Sequence, residues 1–145
     1  SHPDLRKLGP EQIAEEIQRL DDFLTDAGIP KPVSFAYPGG PFAENAVGIL
    51  RQKGFLAART TELRPFQPGK EDVMRLPAWP IQGEDPGLFR NAVAQTTEED
   101  AIILVFHGVP DRVHPWVHTD FARFREYMTH LKDNDFRVLS LRDAL

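Results

Sequence analysis

Three stretches of the sequence set residues capable of chemistry directly behind an apolar run: Tyr37-Pro38-Gly39-Gly40, the piece from Leu76 to Ile81, and His107-Gly108-Val109-Pro110-Asp111. In parallel α/β folds ligands lie beyond the carboxyl ends of the strands, so these positions come first. His107 follows Ile102-Ile103-Leu104-Val105-Phe106, a run without a polar member. An imidazole there is expected at the rim of a sheet, partly desolvated and fixed in rotation, which suits a general acid or base working near neutral pH. The alternative is a histidine hydrogen-bonded to a neighbouring loop. Gly108 behind it permits a ligand to come close. Pro38 and the two glycines after it can hold one backbone N–H at a fixed angle to a developing oxyanion. They can equally be an ordinary strand-to-helix turn, for which Pro-Gly pairs are common.

The other histidines carry less. His2 stands alone in Ser-His-Pro-Asp-Leu, whereas a metal site needs about three protein ligands. His114 and His118 have helical spacing, but Pro115 and Trp116 between them point to a loop. His130 is expected on the solvated side of its helix. The absence of cysteine removes disulfides, thiolate metal sites and cysteine nucleophiles together. The sequence has no Gly-x-Gly-x-x-Gly or phosphate loop for a nucleotide, and no Gly-x-Ser-x-Gly elbow for a serine hydrolase.

The elements that must position these residues follow from periodicity. Ile13, Ile17, Leu20, Leu24 and Ala27 recur at helical steps between Pro10 and Gly28. Val33 to Tyr37 reads as a buried strand, Ala43 to Lys53 as a helix ended by Gly54, and Phe55 to Ala58 as a strand. From Thr60 to Asp85 the chain is rich in Pro, Gly and charge and is expected to be a long excursion at one end of the sheet. A helix from Asp85 to about Glu98 precedes the apolar strand Ile102–Phe106, which is expected to be covered on both faces. Thr119 is expected to cap a helix with Phe121, Phe124, Met128 and Leu131 on one stripe. Phe136 to Leu139 then forms a last strand, and Ser140 opens a short helix. This alternation predicts an α/β fold with a parallel sheet and crossover helices.

At 145 residues and 41% hydrophobic content the chain is expected to build one core. Its formal charge of -5, without a block of like charges, argues against nucleic acid as a partner. No apolar run has the length of a membrane span. Localisation and oligomeric state are left open by the sequence.

Taken in order and spacing, Ser1-His2-Pro3-Asp4-Leu5, Phe35-Ala36-Tyr37-Pro38-Gly39-Gly40, Leu76-Pro77 and Ile103-Leu104-Val105-Phe106-His107-Gly108 resemble the later motifs of the NodB-homology polysaccharide deacetylases. The resemblance implies that residues 1–145 are the C-terminal part of such a catalytic domain and part of a distorted (β/α) barrel. It also implies a divalent metal, usually zinc, and an acetylated carbohydrate substrate from which N- or O-linked acetyl groups are hydrolysed. His2 matches the second histidine of the family's metal motif, with the other ligands expected before residue 1. His107 matches the general acid that protonates the leaving group, and Gly39 matches the residue whose N–H supports the oxyanion. Tyr37, Pro38 and Trp79 are expected at the substrate, with Trp79 as a wall of the acetyl pocket. One position departs from the family: Ala36 stands where many members carry an arginine that orients the catalytic aspartate. With one metal ligand of three, the 145 residues alone are expected to have little deacetylase activity. Two other classes stay open at this point. One is a carbohydrate-binding relative without catalysis, and the other is an unrelated small α/β partner-binding module, although the latter class expects acidic residues at its strand ends.

Overall fold

The computed structural model describes residues 2–83 and 85–144. They gather into two units, one running up to Thr60 and including Asp72–Leu76, the other formed by Thr61–Glu71 and the chain from Pro77 on. Each unit has its own cluster of buried side chains, so the hydrophobic content is divided between two cores where the composition suggested one.

The first unit is a β-α-β crossover with an additional helix. In α1 (Pro10–Asp26) the proline sits in the first turn, where its missing N–H has no cost, and Gly28 at φ 69° ends the helix. Ile13 and Ile17 are buried as expected, but Leu20 is 39% exposed and Ala27 is exposed as well. The reason is length: α2 (Glu44–Gln52), against which α1 packs, has 9 residues to the 17 of α1. The strands β1 (Ser34–Ala36) and β2 (Ala57–Arg59) pair in parallel, with Phe35 beside Ala58 and Ala36 beside Arg59. Phe35 and Ala58 belong to the core with Ile13, Ile17, Ala46 and Leu50, whereas Ser34 and Ala36 are exposed. The strand expected to be buried is therefore covered on one face only, because both helices lie against the Phe35 side. Asp72–Leu76 returns alongside β2, with the Leu76 N–H donating to Ala58 O at 2.9 Å and the Thr60 N–H donating to Leu76 O at 2.7 Å.

In the second unit β3 (Trp79–Pro80) pairs in parallel with β4 (Leu104–Val105), Trp79 beside Leu104. Part of the stretch expected as an excursion is thus a strand, held by Trp79 N–H to Ile103 O at 2.8 Å and Ile81 N–H to Val105 O at 2.9 Å. Between them, α3 (Gly87–Ala94) stops short of Glu98, because Thr96 Oγ1 donates back to Ala92 O at 2.8 Å and Thr97 turns onto Asp100. Ile102 to Phe106 is half-buried rather than covered on both faces, with Ile102, Leu104 and Phe106 directed to the core.

The cap of α4 (Phe121–Asp133) is Asp120, whose carboxylate accepts the N–H of Ala122 at 2.8 Å and of Arg123 at 3.4 Å. Thr119 is buried instead and donates its hydroxyl to Ile81 O at 3.3 Å. The inward stripe of α4 is Phe124, Tyr127, Met128 and Leu131; Phe121 is 61% exposed. Tyr127 stacks on Phe89 of α3 at 4.1 Å. The strand expected over 136–139 does not form. Phe136 N–H closes back on Leu131 O at 2.9 Å and its ring joins the core, but Val138 is 70% exposed, and no described strand pairs with this stretch. Ser140 precedes α5 (Leu141–Ala144) as expected. Mixed helices and parallel strands bear out the α/β class, and the described strands form two two-stranded sheets. No helix among the described residues is long and apolar enough to cross a membrane.

One side chain ties the first unit together. Tyr37 is 2% exposed, its ring meets Phe35 and Phe42 edge to face, and its hydroxyl donates to Met74 O at 2.9 Å. Burial pushes this phenol up to about 12. The folded value lies above the unfolded value of about 10, so the contribution to stability is complete below that pH and is lost as the pH rises towards the folded value. Burial raises Tyr127 as well. Ultraviolet titration of the native chain is therefore expected to show no tyrosinate step at the ordinary value, and Tyr37→Phe is expected to remove the later step and cost about 1 kcal/mol. Ionisation of both tyrosines at the ordinary value in the folded chain would contradict this placement.

Candidate active site

The chain leaves β1 through a tight turn. The N–H of Tyr37 donates to Arg59 O at 3.1 Å, which closes the ladder, and the N–H of Gly40 returns to Tyr37 O at 2.9 Å. Pro38 stands at the second position of this turn and Gly39, at φ 71°, at the third. This is the type II arrangement, which requires a positive φ where Gly39 stands. Gly39 is exposed, and its N–H has no partner among the described residues. The turn reading and the donor reading of Pro38-Gly39-Gly40 are thus compatible: the turn is what leaves the donor free. Tyr37 calls for a correction. Its side chain was expected at the substrate, but it is spent on the core and on Met74, so only its backbone takes part in the turn. Pro38 is half-buried.

Arg59 was missed at the sequence level. It ends β2 directly beside Ala36, the position where the resemblance led to an expected arginine. Its side chain is half-buried, burial pulls the guanidinium below its ordinary value, and it has no ion-pair or hydrogen-bond partner among the described residues. An uncompensated, partly desolvated charge is costly unless an anion comes to it. Only the register of a parallel pair puts residues 36 and 59 at one level, and register is not written in either segment alone.

His2 is exposed. Asp4, the nearest carboxylate in sequence, is bound by the guanidinium of Arg6 through Nε at 2.9 Å and Nη2 at 2.8 Å, and it accepts the Arg6 N–H at 3.1 Å. The hydrogen bond from that guanidinium holds it down at about 2. Among the described residues no three His, Cys, Asp or Glu side chains come together in a way that could hold a metal ion. The described residues thus do not fit the metal that the resemblance implies.

In the second unit Trp79 is 2% exposed and packed with Ile81, Phe89 and Leu104, which makes it a core residue here. Its indole Nε1 is buried without a hydrogen-bond partner among the described residues. The expected pocket wall is closed off because Trp79 lies on β3 under α3, with its ring on the covered face. His107 stands where expected, just after β4, but not as expected: it is exposed, with no side-chain hydrogen bond among the described residues. The preceding ring, Phe106, packs edge to face on Phe124 at 4.9 Å, so the chain turns Phe106 inward and lets His107 out. His130 is exposed, as its helix position predicted. His114 and His118 lie on either side of a single 3-10 turn, Pro115–Val117, and not on a common helix face.

Residues 1–58 match the family model described as polysaccharide deacetylase. The matched stretch contains His2, Tyr37, Pro38 and Gly39, while Trp79 and His107 lie beyond it. No curated protein and no solved structure matches the chain. Calorimetric titration of the 145-residue chain with zinc is expected to show no stoichiometric high-affinity site, since one exposed histidine cannot supply the coordination. A one-to-one site of submicromolar affinity would contradict this.

Proposed function

We propose, on the premise that residues 1–58 are part of a NodB-homology polysaccharide deacetylase domain, that the protein hydrolyses acetyl groups, N- or O-linked, from a polysaccharide or related carbohydrate. The observation that carries this reading is the Tyr37–Gly40 turn at the carboxyl end of β1. It lies inside the matched stretch and leaves the exposed Gly39 with an N–H that has no partner among the described residues. A donor fixed in this way costs no reorganisation when the carbonyl oxygen of an acetyl group takes up negative charge.

Attack by water on the acetyl carbon, with one proton passing to the family's catalytic aspartate, gives a tetrahedral intermediate, and the Gly39 N–H is the donor offered to its oxyanion. Collapse breaks the bond from carbon to nitrogen or oxygen and leaves acetate; the departing amine or alcohol needs a proton, and the resemblance gives that donation to His107. The exposure of His107 supports this role, because a leaving group can reach it. Arg59 brings a guanidinium to the level of the sheet where the family places one, from the neighbouring strand. The family's divalent metal, usually zinc, and its barrel belong to the same reading.

Acetate release from N-acetylglucosamine oligomers and from O-acetylated xylan oligomers, measured on the protein at its natural length, tests the proposal. His107→Ala is expected to lower kcat by about a hundred- to ten-thousand-fold, with KM little changed. Wild-type kcat in that variant would overturn the role of His107.

A further inference from the structure

The loop that begins at His107 is built around a residue that the reaction does not use. Trp116 is 69% exposed, and Val113 beside it in the loop is 76% exposed. Water contact at an indole is unfavourable, and the largest aromatic side chains normally find cover or a ligand. The chain has two tryptophans: Trp79 lies in a core, and Trp116 is held out in solvent.

This exposure does not come from a slack loop. Its base is closed by a bridge between Gly108 and His118 and by the Thr119 N–H donating to Gly108 O at 3.3 Å. Thr119 is buried, and Gly83 N–H donates to His118 O at 2.9 Å. Inside the loop, the N–H of Asp111 donates to His118 Nδ1 at 3.1 Å, and its carboxylate accepts the N–H of Val113 at 3.0 Å and of His114 at 2.7 Å. A Cβ on Gly108 would lie 2.5 Å from Asp111 Cβ, so only glycine permits this closure. The 3-10 turn Pro115–Val117 then fixes the backbone of Trp116, and the His114 ring meets the indole edge to face at 5.4 Å. His118, at the foot of the loop, also lines a groove of about 330 Å³ with Gly83, Asp120, Arg123 and Glu126.

We infer that Trp116 is a stacking platform for a pyranose ring of the carbohydrate substrate, with the groove at His118 taking hydroxyls of the same chain. The inference rests on the deacetylase reading for the identity of the ligand, and it assigns the sugar to a surface joined to His107 through the loop itself. One face of a pyranose is a patch of polarised C–H bonds, which suits the negative face of an indole, while its rim of hydroxyls asks for carboxylates, a guanidinium and imidazole. A tryptophan held rigidly in advance loses little entropy on binding.

Intrinsic fluorescence of the 145-residue chain reads this out directly, because only Trp116 is accessible to acrylamide. The probe is a tetramer of N-acetylglucosamine, with an O-acetylated xylo-oligomer in parallel. Either oligomer is expected to shield the quenchable tryptophan. Trp116→Ala is expected to weaken binding about tenfold or more, as for an aromatic anchor, and Trp116→Phe is expected to restore part of it. Unchanged affinity in Trp116→Ala would overturn the inference. So would quenching that neither oligomer alters, or shielding without sugar that follows self-association in sedimentation. The two readings fail separately. If sugar protects Trp116 but the protein at natural length releases no acetate, the deacetylase reading falls and the platform stands. If acetate release depends on His107 and is indifferent to Trp116→Ala in both KM and kcat, the platform falls and the deacetylase reading stands.

Discussion

The hydrogen bond from the buried Tyr37 hydroxyl to the Met74 carbonyl is the constraint on which the first unit depends. It joins the end of β1 to the segment that returns beside β2, across a core built by α1 and α2. With the ring clamped between Phe35 and Phe42, the backbone of Tyr37 has one way to leave the strand. Pro38 restricts the next step and Gly39 accepts the positive φ that follows. The free Gly39 N–H is thus the result of core packing three residues wide, and the loop carries function because the scaffold behind it is rigid.

The second unit solves a similar problem by different means. Phe106 is drawn onto Phe124 and Tyr127, and His107 leaves the core behind it. No backbone turn of the Pro-Gly kind follows. Instead, a loop is closed at its foot by Gly108, His118 and Thr119 and organised within by one carboxylate, Asp111. Hydrogen bonds from Val113 and His114 hold that carboxyl below its usual range, the His114 N–H being the strongest influence. Both units therefore place their polar groups at strand ends by spending aromatic side chains on the interior.

Much of this could be read from the sequence where a signal is local. The start and stop of α1 at Pro10 and Gly28, the turn at Pro38-Gly39, the position of His107 after an apolar run and the loop nature of His114–His118 all follow from short-range rules. What failed depends on partners. Tyr37 and Trp79 look like ligand-facing aromatics until the cores that claim them are known. The stretch 136–139 alternates like a strand, but a strand needs a neighbour to bond. Trp79–Pro80 became a strand because Ile103 and Val105 supply that neighbour. Arg59 and Trp116 were passed over for the same reason: one gains its meaning from the register with Ala36, the other from a degree of exposure that no spacing announces.

The account turns on whether the Gly39 N–H is free. Amide hydrogen exchange of the folded chain, resolved at residues 39 and 40, asks this directly. Gly40, bonded to Tyr37 O at 2.9 Å, is expected to be protected, while Gly39 beside it exchanges as an open amide. Protection of Gly39 equal to that of Gly40 would mean that its N–H is already committed within the protein, and the oxyanion role assigned to it would be contradicted.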